Sequence, residues 1–495
     1  MIDLTIRLRN FTIDLYERLN QDSTNSSKPP SSDSPFGKPN KNDETNNINQ
    51  AVDSEQNEIF DELADSVPNE SDDENSEISK NEQNNNKRKP GRQPGSQGFG
   101  RSEKPKPDHI ERHYPTQCII CNNWLDGEKA VLHTGFYSYE LERNLDGKSH
   151  AIIITCTLHY YYSEICICGH DNVEYPCSGN ESVIEGRVCN IKLSEYTLVG
   201  PMLATFIAVL NRNYGMSRNK IREYLKTWFN FELSIGTICR AIREAGVACY
   251  PVVDELIEQL QEEKQVHIDE TAWKQKGILF WVWVGITANI AVYLIGSRKK
   301  EMLSQLIGEA FVGWLITDGY GVYRDYKKRQ RCLAHLIRKA VALTGAVDEQ
   351  AQKMGEWFLR ELRRLIEEMA DGQADKNQCN PILARLKRAC KLGAESEHAK
   401  LKSLAKEILN DWDAVVAFVK NPELPATNNL AERALRWVVL YRKITFGTRT
   451  SEGSEAFAAT ISVIKTCRLR KVDPCDYIAQ TIARARKGLT PLAIG

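Results

Sequence analysis

This sequence predicts a multidomain α/β protein built on a mixed sheet, on three observations. From residue 264 onward the apolar pattern runs strand, hairpin, helix, strand and then helices, the order of an α/β layer with a mixed sheet. Residues 345–420 are rich in Leu, Ala, Glu, Lys and Arg with little turn chemistry, which predicts a helical insertion. Residues 108–180 are Cys/His-rich with β-like runs, notably Ala151 to Tyr162, and form a small module of their own. A chain of 495 residues has room for roughly two to four domains at the usual ~100–200 residues each.

Taken in order, residues 1–24 read as a short amphipathic helix with Leu4, Leu8, Phe11, Leu15 and Leu19 on one stripe. It suits a short coiled-coil contact or a helix docked on its own protein, since two or three heptads are marginal alone. Residues 25–107 read as a disordered linker: a Ser/Pro/Lys stretch, an acidic Asn-rich tract with few aromatics, and the basic Pro/Gly segment Lys87 to Gly95, an arm suited to DNA phosphates or a plain linker. In the helical region at 190–260, Leu198 to Leu210 is an apolar helix. Ser217 to Trp228 is a second, and Ile235 to Ala245 a third with Ser234 as N-cap. Helix, short turn and helix, with Arg240 and Arg243 on the last, suggests helix-turn-helix docking on DNA.

The formal net charge of −1 hides an asymmetry. Residues 41–86 carry fourteen Asp/Glu and two Lys, a local charge of −12, so the remainder is about +11 by subtraction. A near-neutral total is therefore compatible with a nucleic-acid partner. The most apolar run, Ile278 to Ile295, is interrupted by Gly285, Thr287 and Asn289, so it reads as a hairpin and no membrane span is expected. The amphipathic, charged N-terminus lacks the apolar core of a signal peptide, and a cytoplasmic protein is expected.

Two carboxylates occupy equivalent places. Val266 and Ile268 lead to Asp269, and Trp314 to Thr317 leads to Asp318; each reads as the end of an apolar strand, where loops leave room for substrate. Two such strands side by side aim both acids at one point, and oxygen-only ligands suit Mg²⁺ or Mn²⁺. Glu432 lies on a helix from Asn428, sharing a face with Asn429 and Arg436; its local reading is a surface ion pair with Arg436. Among the fourteen cysteines, Cys118-x2-Cys121 and Cys166-x-Cys168 offer four thiolates for a structural zinc site, with Cys156, Cys177 and His170 as alternative ligands and free buried thiols as the other reading.

The segments Asn25–Asp33, Gly91–Gly95, His267–Thr271, Leu315–Tyr320, Cys332–His335 and Asn428–Arg436, followed by Arg442, Lys443 and Phe446, occur in one order over almost the whole chain. That ordered set resembles the transposases of the insertion-sequence-66 family, which belong to the DDE group. The resemblance implies a ribonuclease-H-like catalytic core at 264–344 and 421–495, interrupted by the helical insertion at 345–420, and a zinc-finger-like module at 108–180. It makes Asp269, Asp318 and Glu432 the three metal-binding acids, 49 and 114 residues apart in turn (318−269 and 432−318). It implies metal-dependent cleavage at transposon ends and attack of the freed 3′-hydroxyl on target DNA.

Arg433, Arg436, Arg442 and Lys443 then become candidates for holding the DNA backbone, or are ordinary surface charge. Cys332 and His335 form a recurrent pair with a metal, acid or core role. Expected partners are transposon-end and target DNA, further copies of the chain in the active complex, and companion transposition proteins, with the protein on the bacterial nucleoid when bound to DNA. Ile444 stands where the family often has Asn, and the acidic insert after Asn40 is a further departure. A DNA-binding derivative without catalysis and a ribonuclease-H-like nuclease are the rival readings.

Overall fold

Two mixed sheets organise the described residues. The computed structural model describes residues 105–144, 151–179, 191–370 and 376–495. The helix expected at 1–24, the basic arm and almost all of the 25–107 linker lie outside the described residues.

The first sheet is formed by β1 (His109–His113), β2 (Val131–Asn144), β3 (Ala151–Ile165) and β4 (Asp171–Val173). The long β3 is central: β1 runs parallel to it, while β2 and β4 pair with it antiparallel. Four helices follow, α1 (Pro201–Arg212), α2 (Arg218–Phe229), α3 (Ile235–Ala248) and α4 (Tyr250–Gln261). The Ser217 and Ser234 side chains cap α2 and α3, accepting from the N–H groups of Lys220 and Thr237, which fixes where each helix starts.

The second sheet takes the order β7-β6-β5-β8-β9. Its strands are β5 (Gln265–Gln275), β6 (Ile278–Ile286), β7 (Ala291–Gly296), β8 (Trp314–Thr317) and β9 (Arg329–Arg331), with α5 (Lys300–Ile307) between β7 and β8. β5, β6 and β7 form an antiparallel meander, and β8 and β9 add parallel to β5. The expected mixed sheet and hairpin are therefore present. Alternation along the strands sends side chains to two cores, as a sheet covered on both faces requires. Val266, Ile268 and Trp283 pack in the cluster that holds Leu203, Ile207, Ile242 and Leu256 of the preceding helices. Val282, Val284 and Trp273 pack against two helices from the C-terminal part of the chain.

Between the sheet and those helices lies a helical unit with its own core. It comprises α6 (Leu333–Thr344), α7 (Glu349–Ala370), α8 (Lys376–Ala394), α9 (Ala399–Asn410) and the short α10 (Trp412–Val415) and α11 (Ala417–Lys420). Leu336, Phe358, Leu362, Leu386, Leu401 and Phe418 fill it. The chain then returns through α12 (Asn429–Thr445), α13 (Ser451–Leu469) and α14 (Pro474–Arg486). Among the described residues no helix is long and apolar enough to cross a membrane.

The joint between sheet and helical unit is ionic. β9 reads Arg-Gln-Arg, yet all three residues are buried. Arg329 pairs with Asp411, and Arg331 pairs with Glu407 and Asp411. Lys339 also bonds Glu407. Buried charges persist only when paired in this way.

Candidate active site

β5 extends past the place where its apolar pattern stops. Asp269 was expected at the end of a strand but is the fifth residue of an eleven-residue one. The strand continues because the next inward-facing residue, Glu270, is buried with partners of its own. Arg298 donates to one carboxylate oxygen at 2.8 and 3.1 Å, and the Tyr323 hydroxyl donates to the other. The Arg298 guanidinium is itself held between the rings of Trp281 and Tyr320, each 4.0 Å away.

Asp318 does follow directly on the end of β8. Strand register relates the two acids. β5 and β8 are parallel with Gln265 opposite Trp314 and His267 opposite Ile316, an offset of 49 residues. Asp269 and Asp318 differ by the same 49, so the shared register sets them side by side two steps beyond the last paired residues. One oxygen of Asp318 accepts the Tyr320 N–H at 2.8 Å, and one of Asp269 accepts the Glu270 N–H at 2.9 Å. Gly319 leaves space that a side chain would take: a Cβ there would lie 2.1 Å from the buried guanidinium of Arg331.

Burial pushes the Asp269 carboxyl well above the usual carboxylate range, and the charges of Asp318, Glu270 and, last, Glu432 push it further.

Glu432 sits in the first turn of α12, where a carboxylate faces the favourable end of the helix dipole. The expected surface pair with Arg436 does not form. Its carboxylate instead receives Arg338 at 3.0 Å and lies 3.2 Å from His335, both on α6. Burial pushes Glu432 upward, but the bonds and charges of His335 and Arg338 outweigh it and the group is held below its ordinary value. Ligand atoms of Cys332, His335 and Glu432 lie within 4.8 Å of one another. The structure thus pairs Asp269 with Asp318, and holds Glu432 at its own cluster with its field still felt at Asp269.

Asn428 ties these parts together. It is 1 % exposed. Its side-chain oxygen accepts from His267 Nδ1 at 2.9 Å, and its amide nitrogen donates to the Ile268 carbonyl at 2.8 Å. Its backbone N–H points at Cys332 Sγ at 3.1 Å. One residue therefore joins β5, the start of α6 and the start of α12. Burial pushes the Cys332 thiol up to about 11, which suits a packing role. Sequence reasoning missed Glu270, Arg298, Arg338 and the clasp at Asn428. Asn428 stood in a quoted motif, but only the fold reveals what it bonds.

The basic candidates divide. Arg433 and Arg436 are exposed on α12, as is Lys443. Arg442 is half-buried and bonds Thr271 Oγ1 at 3.0 Å and the Ala272 carbonyl, bracing β5. On α3, Arg240 is exposed, while Arg243 pairs with Glu452 at 2.9 Å.

The four cysteines converge on two tight turns. Cys118 and Cys121 lie in the loop after β1, where Asn122 turns with φ 58°. Cys166 and Cys168 close the β3–β4 turn, where Gly169 has φ 84°, a conformation glycine adopts without steric cost. Asn172 is buried and accepts the Ile119 N–H at 3.1 Å, joining the two turns. Cys118 and Cys168 are 3.6 Å apart at sulfur, Cys121 and Cys166 3.4 Å, and all four lie within 4.8 Å of one another. Backbone hydrogen bonding from Cys121 leads the effects that hold the Cys118 thiol down at about 6. The alternatives Cys156, Cys177 and His170 are not part of this group.

Comparison with known proteins places this chain. The family model described as "Transposase IS66 family" matches residues 196–456, a span that contains Asp269, Asp318 and Glu432. Among similar curated proteins are three from Sinorhizobium fredii. Uncharacterized protein y4qI is 23% identical over 351 residues, covering 64% of this chain and 65% of the relative. Uncharacterized protein y4jD is 24% identical over 278 residues, covering 49% and 54%. Uncharacterized protein y4hP is 38% identical over 77 residues, covering 16% and 14%. The chain therefore spans less than two thirds of the length of each of these relatives. With the family model covering more than half of its residues, the chain belongs to the IS66 family of transposases.

Proposed function

We propose that this protein is a DNA transposase that cleaves at transposon ends and transfers the freed 3′-hydroxyl into target DNA, with Asp269, Asp318 and Glu432 as its metal-binding acids. The observation that carries the reading is the shared 49-residue offset that puts Asp269 and Asp318 side by side on parallel strands. An antiparallel meander extended by two parallel strands supports a ribonuclease-H-like core, with the helical insertion at 345–420 lying within the α6–α11 unit. The donor set fits Mg²⁺ or Mn²⁺: oxygen ligands only, crowded enough that their like charge is felt at Asp269. Such an ion, when bound, lowers the pKa of a nucleophilic oxygen and offsets charge on the phosphate.

The chain's own residues do the positioning. Strand register aligns Asp269 with Asp318. Asn428 fixes the helix bearing Glu432 against β5. Arg338 and His335 orient the Glu432 carboxylate. Exposed Arg433, Arg436 and Lys443, on the helix of Glu432, supply positive charge for the DNA backbone. Arg240 extends that role to α3, and Arg243 and Arg442 hold the elements it acts through. Cys118, Cys121, Cys166 and Cys168 form a structural zinc site, since a tetrahedron of thiolates ~2.3 Å from zinc has sulfur–sulfur edges of ~3.8 Å. The four together carry the module at 108–180, ahead of the DNA-binding helices at 190–260. Several copies act together on the two transposon ends, with companion proteins where the element encodes them.

Purified protein incubated with Mg²⁺ and DNA bearing the element's terminal repeats is expected to give cleaved ends and joined products. Both are expected to vanish in Asp318→Ala. Equal yields from wild type and that variant would refute the catalytic assignment, and cleavage without joining would make the protein a nuclease.

A further inference from the structure

The Cys-rich module carries a second cluster of metal-ligating side chains that neither the family match nor the cysteine site accounts for. Glu111 and His113 lie on β1, and His159 lies on β3. β1 and β3 are parallel, with Glu111 directly opposite His159 and His113 two residues further along the same face. Strand alternation therefore turns all three side chains to one side of the sheet.

The distances are those of a coordination polyhedron. His113 Nε2 is 3.2 Å from His159 Nδ1, Glu111 Oε2 is 3.2 Å from the same Nδ1, and Glu111 Oε2 is 3.7 Å from His113 Nε2. Ligands ~2.0–2.1 Å from a tetrahedral zinc stand ~3.3–3.4 Å from one another. The other nitrogen of His159, Nε2, lies 2.9 Å from Ser138 Oγ on β2. With Nε2–H donating to that hydroxyl, Nδ1 presents a lone pair toward a carboxylate oxygen, an arrangement that a cation relieves. Metal-binding histidines commonly use the second nitrogen in this way, which fixes the tautomer and the ring. The rings of Phe136 and Tyr161 pack beside the histidines at 4.9 and 4.3 Å and limit their rotation.

We propose that Glu111, His113 and His159 form a second divalent-metal site, taking Zn²⁺, with Ser138 as the positioning partner of His159 and the fourth place open to water. Imidazole and carboxylate donors in tetrahedral spacing suit zinc over Mg²⁺ or Ca²⁺. The site gives β1 an attachment that burial does not, because four of the five residues of that strand are exposed. It uses no residue of the cysteine cluster and does not depend on the transposase reading.

The test is metal counting on the full chain, refolded or dialysed against Zn²⁺ alone and freed of excess. One zinc ion fewer per chain than in the wild type is expected in His113→Ala/His159→Ala, and one fewer in Cys118→Ser/Cys121→Ser. Glu111→Gln replaces an exposed side chain, so its circular dichroism is expected to match the wild type while its zinc count falls by one. Ser138→Ala is expected to weaken Zn²⁺ binding at this site by ~10-fold. A wild-type count that neither the histidine pair nor Glu111→Gln lowers overturns the proposal and leaves a hydrogen-bonded Glu–His–His triad. A wild-type count of one that is lost in the histidine variant supports this site while refuting the cysteine one.

Discussion

The carboxylate pair and the cysteine cluster are assembled by opposite means. The cysteines come in two local turns, each closed by its own backbone bonds, and the turns are tied by Asn172 and by the sulfur contacts themselves. The acids come from three distant segments and owe their proximity to strand register and to the Asn428 clasp. Their electrostatics differ as well. At the cysteines the effects divide: backbone hydrogen bonds favour the thiolate at Cys118, while at Cys121 and Cys168 the backbone bonds are outweighed by neighbouring thiols and burial; at Asp269 burial and neighbouring carboxylates all disfavour the charged form. On the proposed assignments, zinc would stabilise the centre made from local turns, and a divalent cation would offset the like charge gathered at the centre made by register.

The contrast can be broken most sharply at Asp269. Asp269→Asn is expected to lower cleavage and joining by about 10³-fold, since an ion's charge stabilisation is worth several kcal/mol. The melting temperature of metal-free protein should stay level or rise, because like-charge repulsion is relieved. A fall in that temperature would show the acid to be structural. At the cysteines the sign reverses: Cys118→Ser should lose one bound zinc and lower the melting temperature, and a variant as stable as wild type would count against the zinc reading.

Asn428→Ala is expected next, costing about 2–3 kcal/mol in chemical denaturation by leaving His267 and the Ile268 carbonyl without their buried partner. Activity should drop with it even at temperatures where the fold persists. The smallest effect concerns pH. Burial pushes Glu407 and Asp411 upward, but Lys339 and Arg331 outweigh it at Glu407, and Arg329 and Arg331 at Asp411. Both carboxyls end below their ordinary values of 4.5 and 3.8. Their stabilisation is therefore complete above those values and is lost as pH falls through the lower, folded ones. Unfolding midpoints measured from pH 6 down to pH 3 should decline, and Asp411→Asn should flatten the decline.

Much of this was legible where a residue's role is local. Ser217 and Ser234 announced the starts of α2 and α3, and the breaks at Gly285, Thr287 and Asn289 separated β6 from β7. Legibility failed where distant charge made a polar residue buriable. β5 looked finished at Asp269 because Glu270 interrupts the apolar alternation, and only Arg298 and Tyr323 make that position buriable. β9 could not be recognised from Arg-Gln-Arg, because the acids that neutralise it lie some eighty residues away. Local periodicity alone pairs Glu432 with Arg436 on its own helix, while its partners stand on α6. The metal-binding roles rest on the family resemblance, and register gives two of the three acids an independent physical ground.

The contact between Asn428 and Cys332 has a consequence for how such a chain can vary. Along the backbone, Glu432 lies 114 positions after Asp318; through space, the helical unit leaves and returns at one seam, where Leu333 donates to the Ala426 carbonyl at 3.0 Å and Asn428 meets Cys332 at 3.1 Å. A unit whose entrance and exit coincide can lengthen or shrink in its interior while the seam, the Glu407 and Asp411 partners of β9 and the α6 partners of Glu432 hold, in the manner of a drawer in a cabinet. The number of residues between the second and third acids is thus a free variable of the architecture, and the seam is its fixed point.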